Sequence, residues 1–176
     1  SLPELIINGK LDSYLVQPKN VLLSVMTSET NISAIGDLLY GLLLICIFCF
    51  SVSRFLLFIL FTVTGAVIMT AFALLLGSLS FWFVRSELFA SHMVSSAVSF
   101  ATYPDGIFKG TARFLLYNVI PVGMMIYHPV HIMIAFDAAK LFTVLGYLTL
   151  LSALAVFVFY WGLRRYTSSS LMAARM

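Results

Sequence analysis

The chain has 176 residues, of which 61% are hydrophobic and 10% charged, with a net charge of +3. A soluble domain is nearer half apolar and a quarter charged, and an interior of this size cannot hold the excess, so the bilayer is the expected solvent. The basic residues are scattered, which argues against a nucleic-acid partner, and the pI of 9.0 reflects how few charges there are.

The chain starts at Ser1, and Pro3, Glu4, Asn8 and Lys10 interrupt any leader-like apolar core, so the start reads as internal to a longer membrane protein. Residues 1–34 form a half-apolar, punctuated segment ahead of the first long apolar run. Within it, Leu11, Tyr14 and Leu15 are spaced i, i+3, i+4 and share one face of a short helix. Asn8-Gly9 breaks the chain before that helix, and Gln17-Pro18 ends it, because the residue before proline avoids helical geometry. On pattern alone this is a short interfacial helix with its apolar face on the headgroups.

Four membrane spans are expected, at 35–52, 55–84, 88–104 and 141–163. The first carries a single charge, Asp37, near its start, where it complements the helix dipole and must face protein or water. Cys46 and Cys49 lie inside it and read as small apolar side chains, not as a redox or metal pair. The second, without charge, is longer than one crossing needs, so it must tilt, kink or project, with Gly65 and Gly77 as bending or close-packing points. The third is rich in Ser and Ala, which suits packing against other helices, and His92 belongs at its membrane edge. The fourth is apolar almost throughout and ends on aromatic residues.

Residues 105–137 mix charges, prolines and a greasy centre. They are expected to form a broken, partly inserted hairpin, because Pro121 and Pro129 would each interrupt a continuous helix. Asp105 and Lys109 are spaced i, i+4 as a helical ion pair, with Arg113 extending the row. His128 and His131 flank a proline with no Cys or carboxylate close by, so structural histidines are favoured over a metal pair. Four crossings put both termini on one side with Lys10, Lys19, Arg85, Arg164, Arg165 and Arg175. Arg54, Lys109, Arg113 and Lys140 lie opposite, a bias that favours cytoplasmic termini. Trp82 and Trp161 then both fall at cytoplasmic span ends, and residues 164–176 form a frayed tail. The fold class is all-α: a polytopic membrane bundle of about four transmembrane helices.

Four stretches carry a family resemblance: NGKLDSYLVQPKNVLL (8–23), TYPDGIFKG (102–110), IPVGMMIYHPV (120–130) and GLRRY (162–166). In this order they resemble the C-terminal half of bacterial ABC-2 type permeases, in which a G-x-L-(D/E)-x-x-L-x-x-P pattern precedes the third transmembrane helix. The resemblance covers nearly the whole chain. It implies that residues 1–34 carry a coupling helix set in the groove of a separate ATPase subunit, with Gly9, Leu11, Asp12, Tyr14, Leu15 and Pro18 at the matching positions. It also implies an extracellular re-entrant hairpin that closes the outer mouth of the path, with Tyr103, Pro104, Lys109, Gly110, Pro121 and Pro129 in it or at its entry. A complete permease of this kind has six transmembrane helices, so the chain would supply the third to sixth, about the C-terminal two-thirds.

No G-x-x-x-x-G-K-[ST] phosphate loop occurs, so the energy source must be another chain. No catalytic or metal residue and no bound cofactor is expected, ATP and Mg being used by the partner ATPase. The expected function is the permease subunit of an ATP-driven transporter, an exporter by analogy with the wider family. Its setting is the bacterial inner membrane, beside lipid and a second permease, identical or not. Two other readings use the same residues: a membrane scaffold binding headgroups through its front segment, and an intramembrane enzyme using His128, His131 and Asp137.

Overall fold

The computed structural model describes residues 2–7, 9–18, 20–26, 32–48, 51–83 and 86–166. Every regular element among them is helical: α1 (Leu2–Ile7), α2 (Leu11–Leu15), α3 (Val21–Met26), α4 (Ile32–Phe48), α5 (Val52–Ser78), α6 (Ser86–Ala101), α7 (Gly110–Asn118), α8 (His128–Ile134) and α9 (Ala138–Leu163). Cys49, Lys19, Arg85, Arg175 and the tail from residue 167 lie outside the described residues.

Two helices are long and apolar enough to cross a bilayer: α5 together with the 3-10 turn that follows it, Val52–Phe81, and α9. At about 1.5 Å per residue each exceeds a hydrocarbon core of about 30 Å. They pack side by side with their C-terminal ends together. The buried face of α5 carries Phe61, Thr64, Ile68, Ala71 and Phe72, at helical spacing. It meets Val144, Leu151, Ala155 and Phe159, which recur on one face of α9. At the shared end the Phe81 ring sits edge-on to Phe159, 6.0 Å between centroids, and a Cβ added at Gly162 would lie 2.3 Å from it. Trp82 and Trp161 meet there at 5.4 Å, so the two indoles do fall at one end of the bundle.

The outward faces of both long helices stay apolar and exposed, as at Leu56, Val63, Phe142, Leu150 and Phe157, which fits a lipid surrounding. Hydroxyls on the inner faces bond back to their own helix: Thr64 to the Phe61 carbonyl and Ser78 to the Leu74 carbonyl. In this way a polar group is satisfied where no water reaches.

Gly65 and Gly77 serve close packing, and α5 runs unbroken through both. A Cβ at Gly77 would meet Leu2 and Pro3 of α1 at 3.3–3.4 Å, and one at Gly65 would meet the Met125 carbonyl at 3.5 Å. The α5–α6 turn is pinned by Ser86, whose hydroxyl bonds the Phe83 carbonyl and shares a 2.9 Å bond with Ser80.

The other two expected spans correspond to shorter described helices. The described α4 has 17 residues and α6 has 16, against about 20 for a membrane helix. Contact between α4 and α5 occurs where the Phe58 ring covers Gly41, and most of α4 is exposed, including Leu38, Leu39, Tyr40 and Leu43. Against α5, α6 packs through its small residues Ala90 and Ala97.

The 105–137 segment holds two helical arms, α7 and a run ending in α8, joined by a turn. Pro121 lies in the turn between its arms, but Pro129 does not break a helix. A π-helical run, Gly123–Tyr127, passes directly into α8, whose first turn holds Pro129. Proline has no N–H for the carbonyl four residues back, and the wider π spacing before it absorbs the mismatch.

Candidate functional site

One end of the bundle carries a knob built from α1, α2 and α3. Gly9, at φ +67, takes the left-handed conformation that lets the chain leave α1 and turn at once into α2. The first turn of α2 is tightened by the Ser13 hydroxyl on the Lys10 carbonyl, 2.7 Å. Leu11 is fully buried, in the same apolar core as Leu2, Ile6, Val25 and Phe159, with Tyr166 packed against that core.

Two further ties reach α9. The Tyr160 hydroxyl donates to Asn20 Oδ1 at 3.3 Å, and that same oxygen accepts from the Leu22 amide at the start of α3. Asp12 faces the buried Tyr166 hydroxyl, which has no partner in good hydrogen-bond geometry among the described residues. Burial first, and then the Asp12 carboxylate, push the Tyr166 phenol up to about 12. The far side of the knob is open: Leu15, Val16, Gln17 and Pro18 are exposed, Val16 at 86%.

The predicted face of Leu11, Tyr14 and Leu15 is therefore split. Leu11 belongs to the protein interior and is not available to another chain, Tyr14 is half-buried, and only Leu15 projects. A helix resting its whole apolar face on headgroups would expose Leu11, so the interfacial reading does not fit its root. Helix α2 ends at Leu15, with Pro18 in the bend beyond it.

The hairpin at the opposite end is organised by Asp105, whose side chain is 13% exposed. Its Oδ2 accepts from Arg113 Nη2 at 2.9 Å and from the Tyr117 hydroxyl at 3.2 Å, with His131 Nε2 at 3.8 Å. Arg113 also lies over the Tyr117 ring. The expected Asp105–Lys109 helical row is not formed: Asp105–Ile107 is a single 3-10 turn, and Phe108 and Lys109 are extended. Asp105 bonds Arg113 across the connection instead.

Tyr127 donates to the carbonyls of Phe100 and Tyr103, at 3.0 and 3.1 Å, and so caps the end of α6 from the other arm. Gly123 admits the Tyr117 ring, which a Cβ would meet at 2.4 Å. Tyr103, Pro104, Lys109 and Gly110 are exposed, while Pro121 and Pro129 are buried in the hairpin turn and root.

Asp137 caps α9, accepting from the amides of Ala139 and Lys140 and pairing with the Lys140 ammonium at 3.4 Å. The backbone bond from Lys140 holds its carboxyl below the usual range. His128 stacks edge-on against Tyr117, and His131 faces Asp105, so each of the three residues of the enzyme reading has a separate structural setting. Among the described residues no group of three or more His, Cys, Asp or Glu is placed to hold a metal ion.

Asn20, Phe81, Tyr160 and Tyr166 at the knob, and Tyr117, Gly123 and Tyr127 at the hairpin, escaped sequence reasoning. A tyrosine at the end of an apolar helix signals an interface but not a partner, and only the fold brings Asn20 to Tyr160, 140 positions apart.

Long apolar helices with lipid-suited outer faces, and polar structure gathered at the two ends, define a helical membrane protein. A family model described as ABC-2 family transporter protein matches residues 1–170. The chain belongs to that family, a membrane component of ABC transporters. No curated protein and no solved structure matches it.

Proposed function

We propose that the chain is the permease part of an ATP-driven exporter in a bacterial inner membrane, and that the knob is its coupling element. The carrying observation is the knob's division into a buried root and an exposed tip. Leu11, Asp12 and Asn20 fasten it to the ends of α5 and α9, while Leu15 to Pro18 face outward. Force from a soluble ATPase needs a stiff handle on a membrane helix, and an exposed apolar tip on a fixed base is such a handle.

In this reading residues 1–34 and 164–176 are cytoplasmic, and 35–163 form the membrane part with four crossings. The shorter α4 and α6 cross with help from neighbouring helices and local bilayer thinning. The 105–137 hairpin is re-entrant and closes the outer mouth, tied to α6 by Tyr127. A second permease, identical or not, completes the path. Two ATPase subunits bind ATP and Mg, and their closure shifts the permease between inward and outward access. The chain itself performs no covalent chemistry.

Its test is the full-length protein purified with its ATPase and reconstituted in vesicles. Val16→Asp places a charge on the tip without touching the core. Hydrolysis should continue while ATP-dependent transport is lost. Unchanged transport with that variant would refute the coupling role.

A further inference from the structure

A cavity of about 420 Å³ opens at the knob end of the bundle, bounded by α1, α3, α5 and α6. That volume lies in the range of small-molecule sites, roughly 300–1,000 Å³. Its walls are apolar, with Leu2, Leu74 and Val94 among them. Four side chains, Glu87, Thr70, Ser91 and Ser95, give them polarity. Glu87, in the first turn of α6, is half-buried and has no hydrogen bond or ion pair among the described residues. Thr70 and Ser91 already donate their hydroxyl hydrogens to the carbonyls of Ala66 and Leu88. Their oxygens therefore retain only lone pairs for any further partner.

The cavity is thus an apolar chamber with a negative charge at its edge, in which the Thr70 and Ser91 hydroxyls can accept but not donate. A neutral lipid tail would leave that charge uncompensated, and an anion would be repelled. An apolar body carrying a protonated amine satisfies every feature: the body fills the chamber, and the ammonium donates to Glu87 and the hydroxyls. We propose that this cavity binds an amphipathic organic cation, entering from the inner leaflet, with Glu87 as its counter-charge. The proposal rests on the transport reading in taking that ligand as cargo. The binding site stands on the cavity alone.

Glu87 near an α6 amide end also complements the helix dipole. That role would be served equally by an exposed carboxylate and does not account for the chamber beside it.

The test uses the full-length protein with its ATPase in phosphatidylcholine vesicles and two photoreactive probes of equal size. One is a phenyldiazirine bearing an alkylammonium, and the other has a hydroxyl in its place. A charge-assisted hydrogen bond corresponds to at least about tenfold in affinity. The ammonium probe should therefore label peptides spanning 70–77 and 87–95 about tenfold more than the hydroxyl probe. Glu87→Gln should abolish the preference, and Glu87→Asp should keep most of it, which separates loss of charge from loss of fold. Equal labelling by both probes, a preference that survives Glu87→Gln, or label confined to other helices would each overturn the proposal. Labelling needs no ATP. Preferential labelling without ATP-driven transport would support the site and refute the transport reading, while transport without preferential labelling would do the reverse.

Discussion

Replacing Leu11 by alanine separates fastening from docking. Leu11 is fully buried, so truncation removes a core side chain at a typical cost of about 2–5 kcal/mol. The knob's other ties to α9 are weaker: the long Tyr160–Asn20 bond counts for about 0.5–1.5 kcal/mol, and the Asp12–Tyr166 approach lacks good bond geometry. Leu11 thus contributes more than either polar tie to holding the knob on the bundle, beside Leu2, Ile6 and Val25 in the same core. Even at about 2 kcal/mol its loss raises the undocked population about 30-fold. Amide exchange over residues 9–26 should accelerate accordingly, while exchange in the centre of α5 and α9 stays unchanged. In the reconstituted complex, Leu11→Ala should leave ATPase binding intact, because the tip is untouched, and lower transport per ATP hydrolysed. Leu15→Asp should do the opposite: preserve exchange protection, since Leu15 is 41% exposed, and weaken ATPase binding. Full coupling in Leu11→Ala despite faster knob exchange would refute the idea that a stiff root transmits the force.

Three further outcomes follow. Gly162→Ala should destabilise despite alanine's helical preference, since the new methyl meets the Phe81 ring. The overpacking costs about 1–3 kcal/mol, and a shift in Trp82 and Trp161 fluorescence should report the displaced ring, whereas an unshifted spectrum at raised stability would show that the ring yields freely. Asp105→Asn should loosen the hairpin by about 1–3 kcal/mol, having lost the charge facing Arg113 and His131. Thiol labelling from outside at an engineered Gly110→Cys should then quicken, and an unchanged rate would remove Asp105 as the organiser. Asp137 has a depressed pKa, so its cap contributes fully above the unfolded value near about 3.9 and is lost as pH falls through the lower folded value. Below about pH 4 the melting temperature of the unmodified protein should fall more steeply than that of Asp137→Asn, and parallel slopes would contradict the assignment.

What the sequence reveals differs between the two ends. The long apolar runs that become α5 and α9 are legible because hydropathy alone sets them, and Gly9 marks its turn because few other residues take a positive φ. The face of α2 is readable in its spacing but not in its orientation. Periodicity groups Leu11 with Leu15 and says nothing about which meets the bundle. Pro129 misleads for a local reason: the proline rule assumes α-helical spacing, and the π run relieves it. Asp105 shows the same limit, because the i, i+4 rule holds only inside a helix, and extended backbone at Phe108 and Lys109 redirects the carboxylate to Arg113. Glu87 reads as an ordinary first-turn acid until the cavity beside it is seen.

The most direct test of the whole account is site-directed crosslinking in the intact complex with single cysteines at Val16 and Leu11. Val16→Cys should join the ATPase subunit in high yield, changing with bound nucleotide, while Leu11→Cys should give no such product. Absence of any ATPase crosslink from Val16 in a complex that hydrolyses ATP and transports would contradict the coupling role of the knob.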